Sequence, residues 1–187
     1  FNPERVYFDD YDATELVDIF QQRFEKGLND KYYDKSDVNY FSAKVRNELQ
    51  GDIRYGLMAV RRAIKKTAES ELKNIDRDII DREIQNSLEN KLESALNSLG
   101  NRRIYKTLKC MCLVDEKSTK SIKNKYNSYY EDSMSTQTIL NHLSRSEDLN
   151  IIKKMNTGKN KYMYAFVDPY DVDLVEKVME QSKTMEV

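Results

Sequence analysis

Apolar residues recur at three- and four-residue steps over most of this chain, and each run is bracketed by residues that start or stop helices. The first run follows Asp12 or Thr14, either able to cap it, carries Leu16, Ile19, Phe20 and Phe24 on one face, and ends at Gly27. The second runs from Ser36, a candidate cap, to Leu49, with Val38, Phe41, Val45 and Leu49 on one face. A third follows Gly51-Asp52 with Ile53, Leu57, Val60 and Ile64 as its stripe. A fourth extends from Asp76 to Leu99 and carries Ile80, Ile84, Leu88, Leu92 and Leu96, and Gly100 stops it. Four helices joined by short linkers predict a small helical bundle.

Beyond Gly100 the pattern changes. Ile104, Leu108, Met111 and Cys112 mark one helix, and Ile122, Tyr126 and Tyr129 mark a second after Ser118. A short third, capped near Ser133 or Ser135, turns Ile139 and Leu143 inward. Ile151 to Asn156 and Lys161 to Val167 are β-prone, with Thr157-Gly158-Lys159-Asn160 between them as a turn. Tyr162, Tyr164 and Phe166 alternate with Met163, Ala165 and Val167, so one face of that strand is expected to pack on the helices. Asp168-Pro169 then opens a last helix with Val172, Val175 and Val178 inward. Three helices followed by a hairpin is the order of a winged helix-turn-helix. The expected fold class is mainly α: a four-helix bundle followed by a winged helix-turn-helix domain with a β-hairpin wing.

Composition supports a helix-rich chain, since 187 residues hold only five glycines and two prolines. With no long apolar run for a membrane span and no basic-then-apolar leader, a cytoplasmic protein without a membrane partner is expected. The start at Phe1 suggests a processed or truncated product, and Val6 to Phe8 reads as an orphan strand. Cys110 and Cys112 stand one residue apart without the second pair that a zinc site needs, so a reduced pair and no metal are expected. Thirty-one basic and thirty-two acidic side chains leave a net charge of −1, but the average hides a gradient. Residues 1–99 hold sixteen basic against twenty acidic, or −4, and residues 102–161 hold thirteen against six, or +7. Such asymmetry between halves is an electrostatic footprint to be placed on the fold.

A winged helix reads duplex DNA by laying its third helix in the major groove while the hairpin touches backbone or minor groove, and both elements need hydrogen-bond donors. The third helix here offers Thr136, Gln137, Thr138, Asn141 and Arg145, and the hairpin offers Lys153, Lys154, Lys159 and Lys161. Glu131, Asp132, Glu147 and Asp148 interrupt this surface at the helix ends. His142, the single histidine, has no serine or cysteine partner in view and reads as a packed or solvent-facing ring. Most of the thirteen tyrosines, Tyr126, Tyr129, Tyr162 and Tyr164 among them, sit at core-like periodicities. Arg61-Arg62 and Lys65-Lys66, one turn apart, are either a solvated helix face or a second phosphate-contacting patch.

The stretch Tyr11-Asp12-Ala13-Thr14-Glu15-Leu16-Val17-Asp18-Ile19 with Arg23, then Gly51-Asp52-Ile53-Arg54 with Ala59, Arg61 and Ala63, resembles the lid region of the archaeal origin-recognition and cell-division-control initiators. These are AAA+ proteins in which a helical lid is followed directly by a winged helix. The resemblance implies the end of a missing ATPase domain over 1–12, a lid over 13–99 and a winged-helix domain over 100–187. It also implies that Arg54 is the arginine of the second sensor, which reaches from the lid to the γ-phosphate of ATP held by the neighbouring domain. The alternative for Arg54 is a surface pairing with Asp52 or Glu48. The chain has no Gly-x-x-x-x-Gly-Lys-Ser/Thr phosphate loop and no strand ending in paired acids, so no catalytic residues and no enzymatic activity are expected of it. ATP and magnesium are expected in a full-length parent. Where family members commonly have a glycine before the first wing strand, Asn150 stands here, and asparagine tolerates the same left-handed backbone.

The expected function is that of a nucleoid-associated replication initiator binding duplex origin DNA through its winged helix, with the replicative helicase as a further partner. The alternative is a winged-helix protein-interaction module that recruits a replication factor such as the helicase. A stand-alone transcription regulator accounts for the second half but not the first.

Overall fold

Side-chain caps decide where the helices begin. In the computed structural model, which describes residues 11–70, 74–158 and 161–181, α1 (Ala13–Gly27) opens at Asp12. The Asp12 carboxylate accepts from the amides of Thr14 and Glu15 at 2.7 and 2.8 Å, and the Glu15 side chain accepts from the Asp12 amide at 2.9 Å. After a 3-10 turn at Asp30–Tyr32, α2 (Lys35–Glu48) repeats this reciprocal cap with Asp34 and Asp37. Its cap is therefore Asp34 rather than the expected Ser36. A carboxylate takes two amides at once, and the Ser36 amide is one of the two it holds, at 2.6 Å. Gln50 and Gly51 take positive φ values of 58° and 72° to turn the chain into α3 (Ile53–Glu69), which Asp52 caps. The long α4 (Arg77–Ser98) ends before Gly100 at φ 63°. The expected strand at Val6 to Phe8 lies outside the described residues.

The chain divides into two compact units, Phe1–Leu88 and Glu89–Val187, and the division falls inside α4. In the first unit the core is aromatic at its centre. The Phe20 and Phe41 rings meet edge to face at 4.8 Å, and Phe24 lies 5.9 Å from Phe41 and 5.2 Å from Tyr33. Leu16, Val38, Val45 and Leu49 close around them, and Ile80, Ile84 and Leu88 are buried on α4. Below Leu88 on the same stripe, Leu92 and Leu96 are also buried, as the sequence periodicity requires.

α3 departs from its expected stripe. Its buried face is Gly56, Ala59, Val60, Ala63 and Thr67, whereas Ile53, Leu57 and Ile64 are only half-buried. The reason is backbone proximity. A methyl at Gly56 would lie 2.7 Å from Phe20 Cζ and 3.0 Å from Val45 Cγ1, so α3 sits close against α1 and α2 on its smallest residues.

In the second unit α5 (Arg102–Cys112), α6 (Thr119–Tyr129) and α7 (Thr136–Asp148) pack pairwise, capped by Asn101, Ser118 and Ser135. Asn150 takes φ 55°, the left-handed turn expected of it, and leads into β1 (Ile152–Gly158). β2 (Lys161–Phe166) runs antiparallel to β1, with Ile152 opposite Phe166, Lys154 opposite Tyr164 and Asn156 opposite Tyr162. A single bridge between Ser118 and Met163, with the Tyr164 amide donating to the Lys117 carbonyl at 3.0 Å, ties the hairpin to the start of α6. α8 (Val172–Gln181) packs on α5. It is opened by Asp171, which accepts from the Leu174 amide at 2.7 Å, and not by Asp168-Pro169 as expected.

The tyrosines divide. Tyr126 and Tyr164 are buried, but Tyr129 is 54% exposed and Tyr162 43%, because the first ends α6 and the second lies toward the free end of the hairpin. Cys110 is buried and Cys112 half-buried, and burial pushes their thiols up to about 11 and about 12, which suits inert packing. Among the described residues no helix is long and apolar enough to cross a membrane.

Gly56→Ala is expected to destabilise the protein by about 1–2 kcal/mol, the overpacking against Phe20 and Val45 outweighing the gain in helix propensity. A thermal melt followed by circular dichroism measures it, and a neutral or raised midpoint would show that α3 has room to move outward.

Candidate nucleic-acid interface

Ser135 sets the start of α7: its hydroxyl accepts from the Thr138 amide at 3.1 Å and lies 2.9 Å from the Thr138 hydroxyl. From there Ile139, His142, Leu143 and Ser146 point into the core. Thr136, Gln137, Asn141 and Arg145 consequently fall on the exposed face, the last three at successive four-residue steps. Thr138 is half-buried and its hydroxyl is engaged at the cap, so of the five candidate readers it is the one set apart from this face. Gln137 Nε2 donates to Asn141 Oδ1 at 3.0 Å. That leaves the Asn141 amide nitrogen as a donor and the Gln137 oxygen as an acceptor, a pattern that matches a base edge in the major groove. Lys123 of α6, which sequence reading did not single out, donates to Thr136 Oγ1 at 3.2 Å and brings a cation beside the start of α7.

The hairpin lysines are not equivalent. Lys153 is 2.9 Å from Asp168, whose carboxyl that hydrogen bond and charge hold below the usual carboxylate range. The Lys154 ammonium stands 4.0 Å from the centre of the Tyr162 ring. The Lys154 amide donates to Glu147 Oε1 at 3.2 Å, which ties the end of α7 to β1. Lys161 is exposed at the start of β2, and Lys159 lies outside the described residues. Two of the acids that interrupt the basic surface are thus used internally. Glu147 holds β1, and Asp132 takes Arg103 at 3.2 Å, Lys106 at 3.6 Å and the Tyr126 hydroxyl at 3.2 Å.

His142 is a buried ring with a defined proton. Thr107 donates its hydroxyl proton to the Arg103 carbonyl at 2.9 Å, so across the 2.8 Å contact between Thr107 Oγ1 and His142 Nδ1 the ring nitrogen is the donor. Burial, and then the charge of Arg103, lower the ring's pKa, and the neutral imidazole joins α7 to α5.

In the first unit, Arg54 leaves α3 near its start with its side chain 80% exposed. It lies 3.4 Å from Asp52 and 5.7 Å from the centre of the Tyr55 ring, a loose surface tether. Of the basic run, Lys66 is paired with the buried Glu83 and Lys65 reaches Glu69 at 3.7 Å.

An open groove of about 480 Å³ lies in the second unit between α5, the end of α6 and α8. Arg102, Lys106 and Lys109 line one side, Glu176 and Glu180 the other, with Leu113 and Tyr129 exposed at its rim. Among the described residues no three or more potential metal ligands come together.

No family model matches the chain. It is similar to the ORC1-type DNA replication protein 3 of Haloarcula marismortui, with 35% identity over 63 residues that make up 34% of this chain and 16% of that protein. Its fold is similar to that of the Aeropyrum pernix ORC1 protein, solved in complex with DNA, with a TM-score of 0.72 and 17% identity over 94% of this chain. The chain spans about half of that structure's length, 48%. The fold is thus similar to that of an archaeal ORC1 protein, and a third of the chain is similar in sequence to part of an ORC1-type replication protein.

A pH titration of stability tests the buried histidine. His142 is neutral in the fold and protonates near 6.5 when unfolded, so its contribution is complete above that pH and is lost as the pH falls through the lower folded value. Urea unfolding of the native chain is therefore expected to show stability declining below pH 6.5, and His142→Gln to flatten that decline. An unchanged slope would mean that the ring protonates freely in the fold.

Proposed function

We propose that this chain is the C-terminal part of a replication initiator and that it binds duplex DNA through α7 and the hairpin. The observation that carries the reading is the exposed row Gln137, Asn141 and Arg145 beside a lysine-bearing hairpin, in a fold like that of an ORC1 protein solved with DNA. In this reading α7 enters the major groove, Asn141 and Gln137 address base edges, and Thr136 with Lys123 and Arg145 meets the backbone. Lys154 and Lys161, with Lys159, contact flanking phosphates from the hairpin. The domain order is a lid over 13–99 and a winged helix over 100–187.

In a longer parent, Arg54 would act as the nucleotide sensor. Its exposure and its 3.4 Å tether to Asp52 leave the guanidinium free to turn to the γ-phosphate of ATP, whose magnesium and phosphate loop belong to an ATPase domain. This chain carries no phosphate loop, so its own part is DNA binding and sensing, not hydrolysis. The replicative helicase is a proposed partner. The groove between α5 and α8, rimmed by exposed Leu113 and Tyr129, favours a second reading as a protein-docking module.

Fluorescence anisotropy on labelled duplexes over a salt series separates the two. DNA binding is expected to give a linear fall of log affinity with log salt, whereas a packed protein interface is far less salt-sensitive. Lys154→Ala with Lys161→Ala is expected to weaken all duplexes alike and reduce the slope. Gln137→Ala or Asn141→Ala is expected to erode sequence preference by about 1–3 kcal/mol per lost base contact. Equal effects from all four substitutions would remove α7 from the reading role. In a full-length protein, Arg54→Ala is expected to abolish the dependence of DNA binding on ATP, and retained dependence would assign Arg54 to the surface.

A further inference from the structure

We infer that α3 carries a second surface for the DNA phosphate backbone, built from Arg61, Arg62 and Lys65; the inference rests on the reading of the chain as a duplex-binding protein. α3 buries its small residues, so its opposite side faces solvent. Arg54, Met58, Arg61 and Lys65 lie along that side at steps of three or four, and Arg62 is half-buried next to them. At about 1.5 Å per residue Arg61 to Lys65 spans about 6 Å of helix, and the long arginine and lysine side chains extend that reach to neighbouring phosphates of one strand.

Its charges are available. Arg61 and Arg62 carry no ion pair among the described residues, and the Lys65–Glu69 contact is long at 3.7 Å with both side chains exposed, so it yields readily. Lys66 is excluded, since it is held by the buried Glu83. The basic row stands out because residues 1–99 carry a net charge of −4. A protein partner is disfavoured by the lack of an apolar centre: Met58 is the one large hydrophobic residue exposed on α3 among the described residues. Two neighbouring guanidinium groups with an ammonium one turn further on, and little apolar surface between them, match phosphates, which Arg can hold through two parallel hydrogen bonds.

The experiment is duplex binding by anisotropy over a salt series with the full chain, comparing Arg61→Gln/Arg62→Gln/Lys65→Gln with the native protein. Glutamine keeps the helix propensity and removes the charge. The same triple substitution is also placed in a Lys154→Ala/Lys161→Ala background, and the double substitution Arg61→Lys/Arg62→Lys, with Lys65 retained, serves as the charge-preserving control. The expected result is a several-fold loss at low salt and a log–log slope reduced by about 2 in both backgrounds, restored by the lysine control. Unchanged slope and affinity in the glutamine variant would overturn the inference while leaving the α7 interface standing. Loss with the α3 variant but none with the hairpin or α7 substitutions would overturn the winged-helix reading and leave this surface standing. A native chain that binds no duplex at low salt would overturn both.

Discussion

The rotation of α7 about its own axis decides what the second unit can touch, and one buried face sets it. Ile139 and Leu143 bury their side chains completely, and the His142–Thr107 hydrogen bond of 2.8 Å lies between them on the α5 side. An apolar stripe alone tolerates small rotations, because dispersion contacts have little directionality. A hydrogen bond from a neutral imidazole to a hydroxyl does not, since its loss leaves the buried imidazole N–H without its partner. Turning α7 by one residue, about 100°, would bring Asn141 or Arg145 toward the core and break that bond. Glu147 adds a second restraint by accepting the Lys154 amide at 3.2 Å, so the hairpin is held to the helix by a hydrogen bond as well as by packing.

Much of this was legible in the sequence because it depends on period and on turn chemistry. The long stripe from Ile80 to Leu96 and the inward pair Ile139 and Leu143 follow from spacing alone, and the left-handed Asn150 from the family resemblance joined to asparagine's tolerance of that backbone. What escaped depends on distance between segments far apart in sequence. α3 was assigned its largest apolar residues as its buried face, yet the closest approach is made by Gly56, and only the positions of Phe20 and Val45 reveal that. Tyr129 and Tyr162 share the spacing of Tyr126 and Tyr164, but each lies at the end of its element, where its ring is left about half exposed. Ser36 is an acceptable cap by type, and it loses to Asp34 because the carboxylate satisfies two amides where a hydroxyl satisfies one.

Charge shows the same limit more sharply. Counting gives +7 for residues 102–161 and treats each lysine as equal. In the structure Lys153 is neutralised by Asp168, Arg103 and Lys106 share Asp132, and Lys154 is held over an aromatic ring. The surface left for an anionic partner is therefore narrower than the count suggests. It is drawn from Lys123 beside Thr136, from Arg145 and from the hairpin. Acids that looked like interruptions are what orient it, since Glu147 and Asp132 are turned to internal partners.

This sorting bears on which kind of partner each surface suits. The α7 face presents hydrogen-bonding side chains with almost no apolar area, and such a face gains little from excluding water but much from fixed donors opposite fixed acceptors. The groove between α5 and α8 has the reverse character, with apolar and tyrosyl residues between walls of opposite charge. A polyanion entering it would meet Glu176 and Glu180 as it met Lys109, so the attraction on one wall is offset on the other. A folded partner with an apolar ridge and mixed charge on either side suffers no such conflict. The two surfaces share α5 and α6 as scaffold but use different residues of them, so occupation of one does not by itself forbid the other. The two proposed modes, DNA binding and protein docking, are thus compatible within a single unit, and each must be judged by substitutions on its own face.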